Sequence, residues 1–447
     1  MTSLPLDSRT AELGDARSLL VTLADNAGLL RAKLVPAAKI RAAQDKGIGL
    51  SPLFAVMAAD SSITVSSHYG GPSGDMRLIP DLDAAACIDP SRGLWWAPVD
   101  QRNQELEVLS SCQRSALRRQ CAQAKEAGFE YLMTFELEFT VLSGTREDPD
   151  FAHHGPSYGM QAFIELEDFI LELTEQFERS GLDPELVHPE YGPGQVEFST
   201  GPTDPVTAAD RQVLARVIAH RVARAHGLRV SFSPVTALGA VGNGCHVHVS
   251  AFRNGQNAFA GEDGQPGPIG GEMMGALVKH LPETTGLFAP SPLSYERLVP
   301  GHWAGAYACW GVENREAAVR FIPGTITSRA TSANCEIKIA DNTCNPYLVA
   351  AAVVAMTLRG AAEGTALPQP MAGDPHELTP SEREAAGVRR LPTSTQKALD
   401  ALAVSNVASA ALGPALLDAF VAVRRRDLEV FGSLEAGERI AAMRWLY

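Results

Sequence analysis

Apolar positions change their spacing several times along this chain of 447 residues, and each change marks an element. Residues 8–28 carry apolar side chains at helical spacing, and short alternating pieces at 50–58, 61–65 and 76–79 read as strands, punctuated by "GGPSGD". After "WWAPVD" a helical pattern runs over 111–126 and stops at Gly128. In "MQAFIELEDFILELTEQFERSG", Phe163, Leu166, Ile170, Leu173 and Phe177 recur at three and four residues, predicting a helix closed by Gly181. "TDPVTAAD" opens another, with Thr203 or Asp204 as N-cap and Pro205 in its first turn, ending before Gly227. Around these, "YLMTFELEFTVL", "GQVEFST", "RVSFSP", "GCHVHVSAF", "AAVRFIP" and "CEIKIAD" read as short antiparallel strands, and the Gly/Pro-rich segments 143–157, 261–271 and 366–380 as loops. The expectation is an α+β protein with a small unit over 1–110 and a larger one over 111–447.

Several of these strands carry ionisable residues two apart inside otherwise apolar sequence. Glu136 and Glu138 do so, as do His246 and His248, and Glu336 and Lys338. Period two puts each pair on one face of its strand. One such pair is ordinary on a solvated face; three pairs and a fourth site are not. The fourth is "HPEYGPGQVEF", where Glu190 and Glu197 flank a turn built on Gly192, Pro193 and Gly194. Carboxylates that converge need cations. Mg²⁺ or Mn²⁺ suits oxygen donors with one or two imidazoles, whereas zinc would recruit more His or Cys. "RLVPGHWAGAYACWGVENREAAVRF" supplies the complementary charge: Arg297, Arg315 and Arg320 have the fork geometry for carboxylate and phosphate. Metal-binding carboxylates beside anion-binding arginines point to phosphoryl transfer. Neither common phosphate loop is present, since no GxxxxGK[ST] occurs and "GAVGNG" misses the GxGxxG spacing.

Composition narrows the partners. With 45% hydrophobic and 20% charged residues the chain is that of a soluble globular protein, and a net charge of −14 with no basic block argues against nucleic acid or an anionic membrane as partner. Seven scattered cysteines without CxxC spacing argue against disulfides or a zinc knuckle and suit a reducing cytoplasm. Asp7, Glu12 and Asp15 stand where a signal peptide would be basic and then apolar. The longest near-apolar run, 347–358, is shorter than the roughly 20 residues of a membrane span.

The motifs "ELEF", "PEYGPGQVE", "GNGCHVHVS", "RLVPG…ENREAAVR" and "EIKIADNTCNPYL" resemble those of the glutamine synthetase family, in order and at about its spacing, across nearly the whole chain. The resemblance implies a small N-terminal β-grasp-like domain and a large catalytic domain with a curved antiparallel sheet. It also implies a homo-oligomer, a dodecamer of two hexameric rings with sites shared between neighbouring subunits. By the same resemblance Glu138, Glu190 and Glu197 match the ligands of one Mg²⁺ or Mn²⁺, and Glu136, His246 and Glu336 those of another, with two or three ions per site. His248 and Ser250 match ATP contacts, as does Arg320; Gly242 and Arg297 match the glutamate site; Arg315 and Arg320 match the pair that meets the transferred phosphate. The implied reaction phosphorylates the γ-carboxylate of L-glutamate with ATP and lets an amine displace phosphate.

Four departures from the family bear on the substrate. Trp303 stands where ammonia-using members carry a flap glutamate, which replaces an anion and base by an apolar wall suited to an amine that carries carbon. Lys338 replaces an arginine, Val241 an asparagine beside the glutamate site, and His376 the tyrosine that some members adenylylate. Asp60, in "AADSSI", stands one position off the register of an aspartate that the family lends to the neighbouring subunit, and Tyr158 is a candidate either for lining the amine pocket or for packing at a helix entry. The expected activity is therefore an ATP-dependent ligase that couples glutamate to an organic primary amine such as ethanolamine, an alkylamine, a polyamine or an aromatic amine. A true glutamine synthetase is the alternative within the family, and a non-catalytic relative the alternative outside catalysis.

Overall fold

The computed structural model describes residues 13–447, and two sheets organise it. Six strands form the first, in the order Leu30–Pro36, Ser18–Ala24, Leu94–Arg102, Met76–Pro80, Ile48–Leu50, with Ala86–Asp89 beside Leu94–Arg102. Its two central strands run parallel, and the helix Ala37–Lys46 places Ile40 and Ala43 in a small core with Leu19, Val21, Leu23, Leu78 and Val99.

This corrects the helix expected over 8–28, of which 8–12 lie outside the described residues. Ser18–Ala24 is a central strand buried on both faces: Leu19, Val21 and Leu23 enter the small core, while Leu20 and Ala24 face the core of the larger body. Two-sided burial removes the polar half of the alternation, so apolar residues at 19, 20, 23 and 24 imitate helical spacing. The strands expected at 50–58 and 61–65 shrink to Ile48–Leu50 and a single bridge from Ile63 to Met57. Pro52, which has no N–H to donate, opens a 3₁₀ turn whose Leu53 N–H is capped by Ser51 Oγ at 3.3 Å.

Eleven strands form the second sheet, in the order Arg389–Arg390, Tyr307–Val312, Ala317–Ile322, Asn334–Ile337, Cys245–Arg253, Phe129–Gly144, Gln195–Thr200, Pro184–Pro189, with three short strands off this path. Every pairing is antiparallel except that of Tyr307–Val312 with Ala317–Ile322. The six strands read from the sequence for this sheet are all present; Pro184–Pro189, Tyr307–Val312 and the short Pro149–Phe151, Gln256–Asn257 and Arg389–Arg390 are additional, Pro149–Phe151 within the loop expected over 143–157. Phe135, Leu137, Phe139 and Val141 point into the main core with residues of the helices Gln113–Glu126, Pro205–Ala225 and Pro346–Glu363. Glu136 and Glu138 therefore project from the opposite face.

Asp204 is the N-cap of Pro205–Ala225, accepting from Val206 N and Thr207 N. The amphipathic stretch before it, expected as one helix, is two, Met160–Glu165 and Glu167–Arg179, broken at Leu166, with Phe169, Ile170, Leu173 and Phe177 buried. The run 347–358 lies in the buried helix Pro346–Glu363, and among the described residues no single helix is long and apolar enough to cross a membrane.

Candidate active site

Strand register gathers the polar residues into one row. Glu197 lies opposite Glu138, Glu136 opposite His246, His248 opposite Glu336, and Glu336 opposite Arg320. Cross-strand partners on one face sit close enough for their side chains to meet, so five strands contribute to one polar surface. Glu190 joins it from the turn before Gln195–Thr200, its N–H donating to Gln195 O at 2.9 Å.

Two groups result. Donor atoms of Glu138, Glu190 and Glu197 lie within 4.8 Å of one another, and so do those of Glu136, His246 and Glu336. These are the same two triads that the resemblance implied. In the first, burial raises the Glu197 carboxyl to about 8; a hydrogen bond from His188 opposes this, and the charges of Glu136, Glu138 and Glu190 add to it. Glu190 is raised as well, by burial first, and its Oε2 is buried without a hydrogen-bond partner. Such an acidic, underpartnered group has the chemistry of a hard-cation site, because a divalent ion between the oxygens removes both the repulsion and the orphaned acceptor. The second group is already compensated. Burial alone would raise Glu136, but His246 Nδ1 at 2.7 Å and the nearby His248 bring it down to about 2. Glu336, fully buried, is held well below the usual carboxylate range against that burial by Lys338, His246, His248 and Arg320. Lys338 Nζ is 3.0 Å from its Oε1 and Arg320 Nη1 2.9 Å from its Oε2.

The remaining predicted residues divide by what they touch. Arg297 is buried, donates to the carbonyls of Lys338 and Ile339 at 3.1 and 3.4 Å, and brings Nη2 to 3.2 Å from His246 Nε2. Gly242 packs on it, and a Cβ there would lie 2.5 Å from Arg297 Cγ. His248 Nδ1 pairs with Asn334 Oδ1 at 3.1 Å, and Ser250 follows on the same face. Tyr158 donates its hydroxyl to Glu190 Oε1 at 2.8 Å, which joins it to the first group. Arg315 lays its guanidinium over the Trp303 indole, 5.7 Å from the ring centroid. Trp303 is itself 51% exposed. Asp60 stands apart from this row: its carboxylate accepts from Ser62 N and Oγ, and Ser62 Oγ in turn accepts from Arg426. His376 pairs through Nδ1 with Tyr307 Oη at 3.1 Å.

Three contributors escaped the sequence reading. Gln195 accepts from Gly192 N at 2.9 Å and directs Nε2 at Glu138 Oε2, Gly242 O and Asn243 Oδ1 at 3.2, 3.0 and 3.1 Å. Its place two before Glu197 on one strand is the same period-two signal that marked the other pairs. His188, raised to about 9 first by its hydrogen bond with Glu197, lies opposite that residue in the neighbouring strand. Glu316 is the third, buried with Oε1 accepting from Trp303 N at 2.9 Å.

Residues 110–437 match the family model described as glutamine synthetase, catalytic domain. The chain belongs to the glutamine synthetase family. It is 41% identical over 434 residues to the gamma-glutamylpolyamine synthetase GlnA3 of Streptomyces coelicolor, covering 96% of this chain and 93% of that protein. The glutamine synthetase of Mycolicibacterium smegmatis is 30% identical, covering 95% of each. Among solved structures, a novel glutamine synthase homolog superposes with a TM-score of 0.86 at 28% identity over the full length of both chains. A complex of GmaS with ADP gives 0.83 at 26%, over 97% of this chain and 98% of that one. Membership makes the chain an ATP-dependent ligase that forms a carbon–nitrogen bond, in a family that uses ATP with Mg²⁺ or Mn²⁺.

Proposed function

We propose that this glutamine synthetase relative activates the γ-carboxylate of L-glutamate with ATP and joins it to an organic primary amine, giving a γ-glutamylamide, ADP and phosphate. The observation that carries the reading is Trp303. An exposed indole beside Arg315 stands where an ammonia-using site needs a carboxylate, and an apolar π surface suits carbon on the nucleophile. The 41% identity to a protein named gamma-glutamylpolyamine synthetase supports the same class and makes polyamines the first amines to test.

The chemistry needs activation because a carboxylate is a poor acyl acceptor, whereas an acyl phosphate carries a good leaving group. Glu138, Glu190 and Glu197 would hold one divalent ion and Glu136, His246 and Glu336 another; bound there, such ions neutralise phosphate charge. Arg297, fixed by two backbone carbonyls, is the clamp for a substrate carboxylate beside Gly242. Arg320 and Arg315 face the phosphate, with Lys338 and Glu336 fixing Arg320 through one shared ion pair network. His248 and Ser250 are the nucleotide contacts, and Tyr158 closes the amine side against Glu190. Asp60, whose carboxylate accepts from Ser62 while Arg426 donates to the Ser62 hydroxyl, fits a role across a subunit boundary in a ring-shaped homo-oligomer.

The purified protein with ATP, Mg²⁺ or Mn²⁺, glutamate and a panel of putrescine, spermidine, ethanolamine, alkylamines, aromatic amines and ammonium decides the matter. The γ-glutamylamide should appear by mass spectrometry with phosphate release far above that with ammonium. Equal turnover with ammonium and every organic amine would make the protein a glutamine synthetase instead. Trp303→Glu should shift preference toward ammonium, and an unchanged amine profile would reduce Trp303 to packing.

A further inference from the structure

Trp303 sits in a loop in which Gly301, Trp303 and Gly305 all have left-handed backbones, at φ of +75°, +52° and +73°. Glycine adopts that conformation freely; a bulky aromatic does so only when its surroundings impose it. Two consecutive residues of the turn 313–316 touch Trp303: the Arg315 guanidinium covers the indole, and Glu316 Oε1 accepts the Trp303 N–H at 2.9 Å. The turn is itself anchored, since Asn314 donates to the carbonyls of Met371 and Gly373 at 2.8 and 3.0 Å and accepts from Glu316 N at 3.0 Å. Glu316 is only 8% exposed, and its Oε2 is buried without a hydrogen-bond partner. Burying a carboxylate with a single hydrogen bond and no ion pair among the described residues is costly, so its placement calls for a reason other than stability.

We propose that Glu316 is a positioning residue for the reaction: its carboxylate latches the Trp303 loop onto the turn that carries Arg315 and so holds the indole over the activated intermediate. The inference rests on the functional reading above. A latched loop keeps water from the acyl phosphate. When it loosens, water adds to the acyl carbon, the bond to the phosphate oxygen breaks, and glutamate and phosphate are released without amide.

The ratio of phosphate released to amide formed reads this directly, and a residue needed only for folding leaves it unchanged in the folded protein. Wild type should give about one phosphate per amide, as coupled transfer requires. Glu316→Ala should raise the ratio several-fold and raise KM for the amine while KM for ATP stays within error. Glu316→Gln keeps an oxygen acceptor for the Trp303 N–H and should restore coupling. A coupled Glu316→Ala enzyme would overturn the latch, as would a Glu316→Gln enzyme as uncoupled as the alanine variant, because charge rather than the hydrogen bond would then matter. If Glu316→Ala does not fold, the glutamine variant decides alone, a coupled enzyme supporting the latch and an uncoupled one overturning it. Should wild type make only glutamine, the amine reading fails, while the same ratio measured with ammonium still tests the latch.

Discussion

Replacing Gln195 with alanine removes the side chain that ties the turn 190–195 to Glu138 and to the 242–243 segment. Its Nε2 shares two hydrogens among Glu138 Oε2, Gly242 O and Asn243 Oδ1, and its Oε1 accepts from Gly192 N. At the low end of the usual range, with two hydrogens on Nε2, one charge-assisted bond at about 1.5 kcal/mol and two neutral ones at about 0.5 kcal/mol give a loss of about 2.5 kcal/mol. The larger consequence is at Glu138, whose Oε2 keeps only the Gly244 N–H, at 2.6 Å. An outer partner that orients a metal-binding carboxylate is worth about 10–100-fold in metal affinity. Calorimetric titration with Mn²⁺ in the absence of nucleotide measures this without turnover, and chemical denaturation measures stability separately. A folded Gln195→Ala protein whose Mn²⁺ affinity stayed within about threefold of wild type would refute Gln195 as the residue that orients Glu138.

The other predictions test the two triads and the frame that carries them. Glu136→Ala and Glu190→Ala each remove a donor from one triad and should abolish ATP-dependent ligation; near-wild-type turnover in either would overturn the assignment. Arg114, buried between the two sheets, pairs with Asp210 through Nε and Nη2 at 2.9 and 2.7 Å and with Asp81 and Asp100. Arg114→Ala leaves buried carboxylates uncompensated and should cost about 3–5 kcal/mol by denaturation. Asp427, whose Oδ1 accepts from Ala59 N at 2.8 Å, is raised to about 6, first by burial, against Arg424, with Asp25 and Asp60 adding to the rise. The folded chain then keeps a proton that the unfolded chain releases near the ordinary aspartate value of 3.8, so stability falls as pH rises from there to about 6 and levels off above it. The loss is about 3 kcal/mol, and Asp427→Asn should flatten that part of the stability profile against pH.

How far the sequence revealed the site follows from what a local pattern can encode. Glu136 with Glu138, His246 with His248, and Glu336 with Lys338 were legible because period two fixes the face of a strand without any neighbour. That Glu197 lies opposite Glu138, and His246 opposite Glu136, depends on register between strands far apart in sequence, and the family motifs rather than periodicity supplied the grouping. Ser18–Ala24 misled for the converse reason: its hydrophobic pattern answers to two cores at once, and no local rule separates those demands.

Glu316 escaped for a different cause. It sits between Arg315 and a run of buried small residues, and its sequence context resembles an exposed turn. Its significance arises only because Trp303 takes a left-handed conformation that tryptophan rarely adopts, thirteen residues earlier. The two unusual features account for each other. The backbone of Trp303 needs an acceptor to hold it there, and the Glu316 carboxylate needs a donor to be tolerated in the interior. Neither is favourable alone, which is the expected signature of a pair kept for the geometry it imposes on the indole and on Arg315.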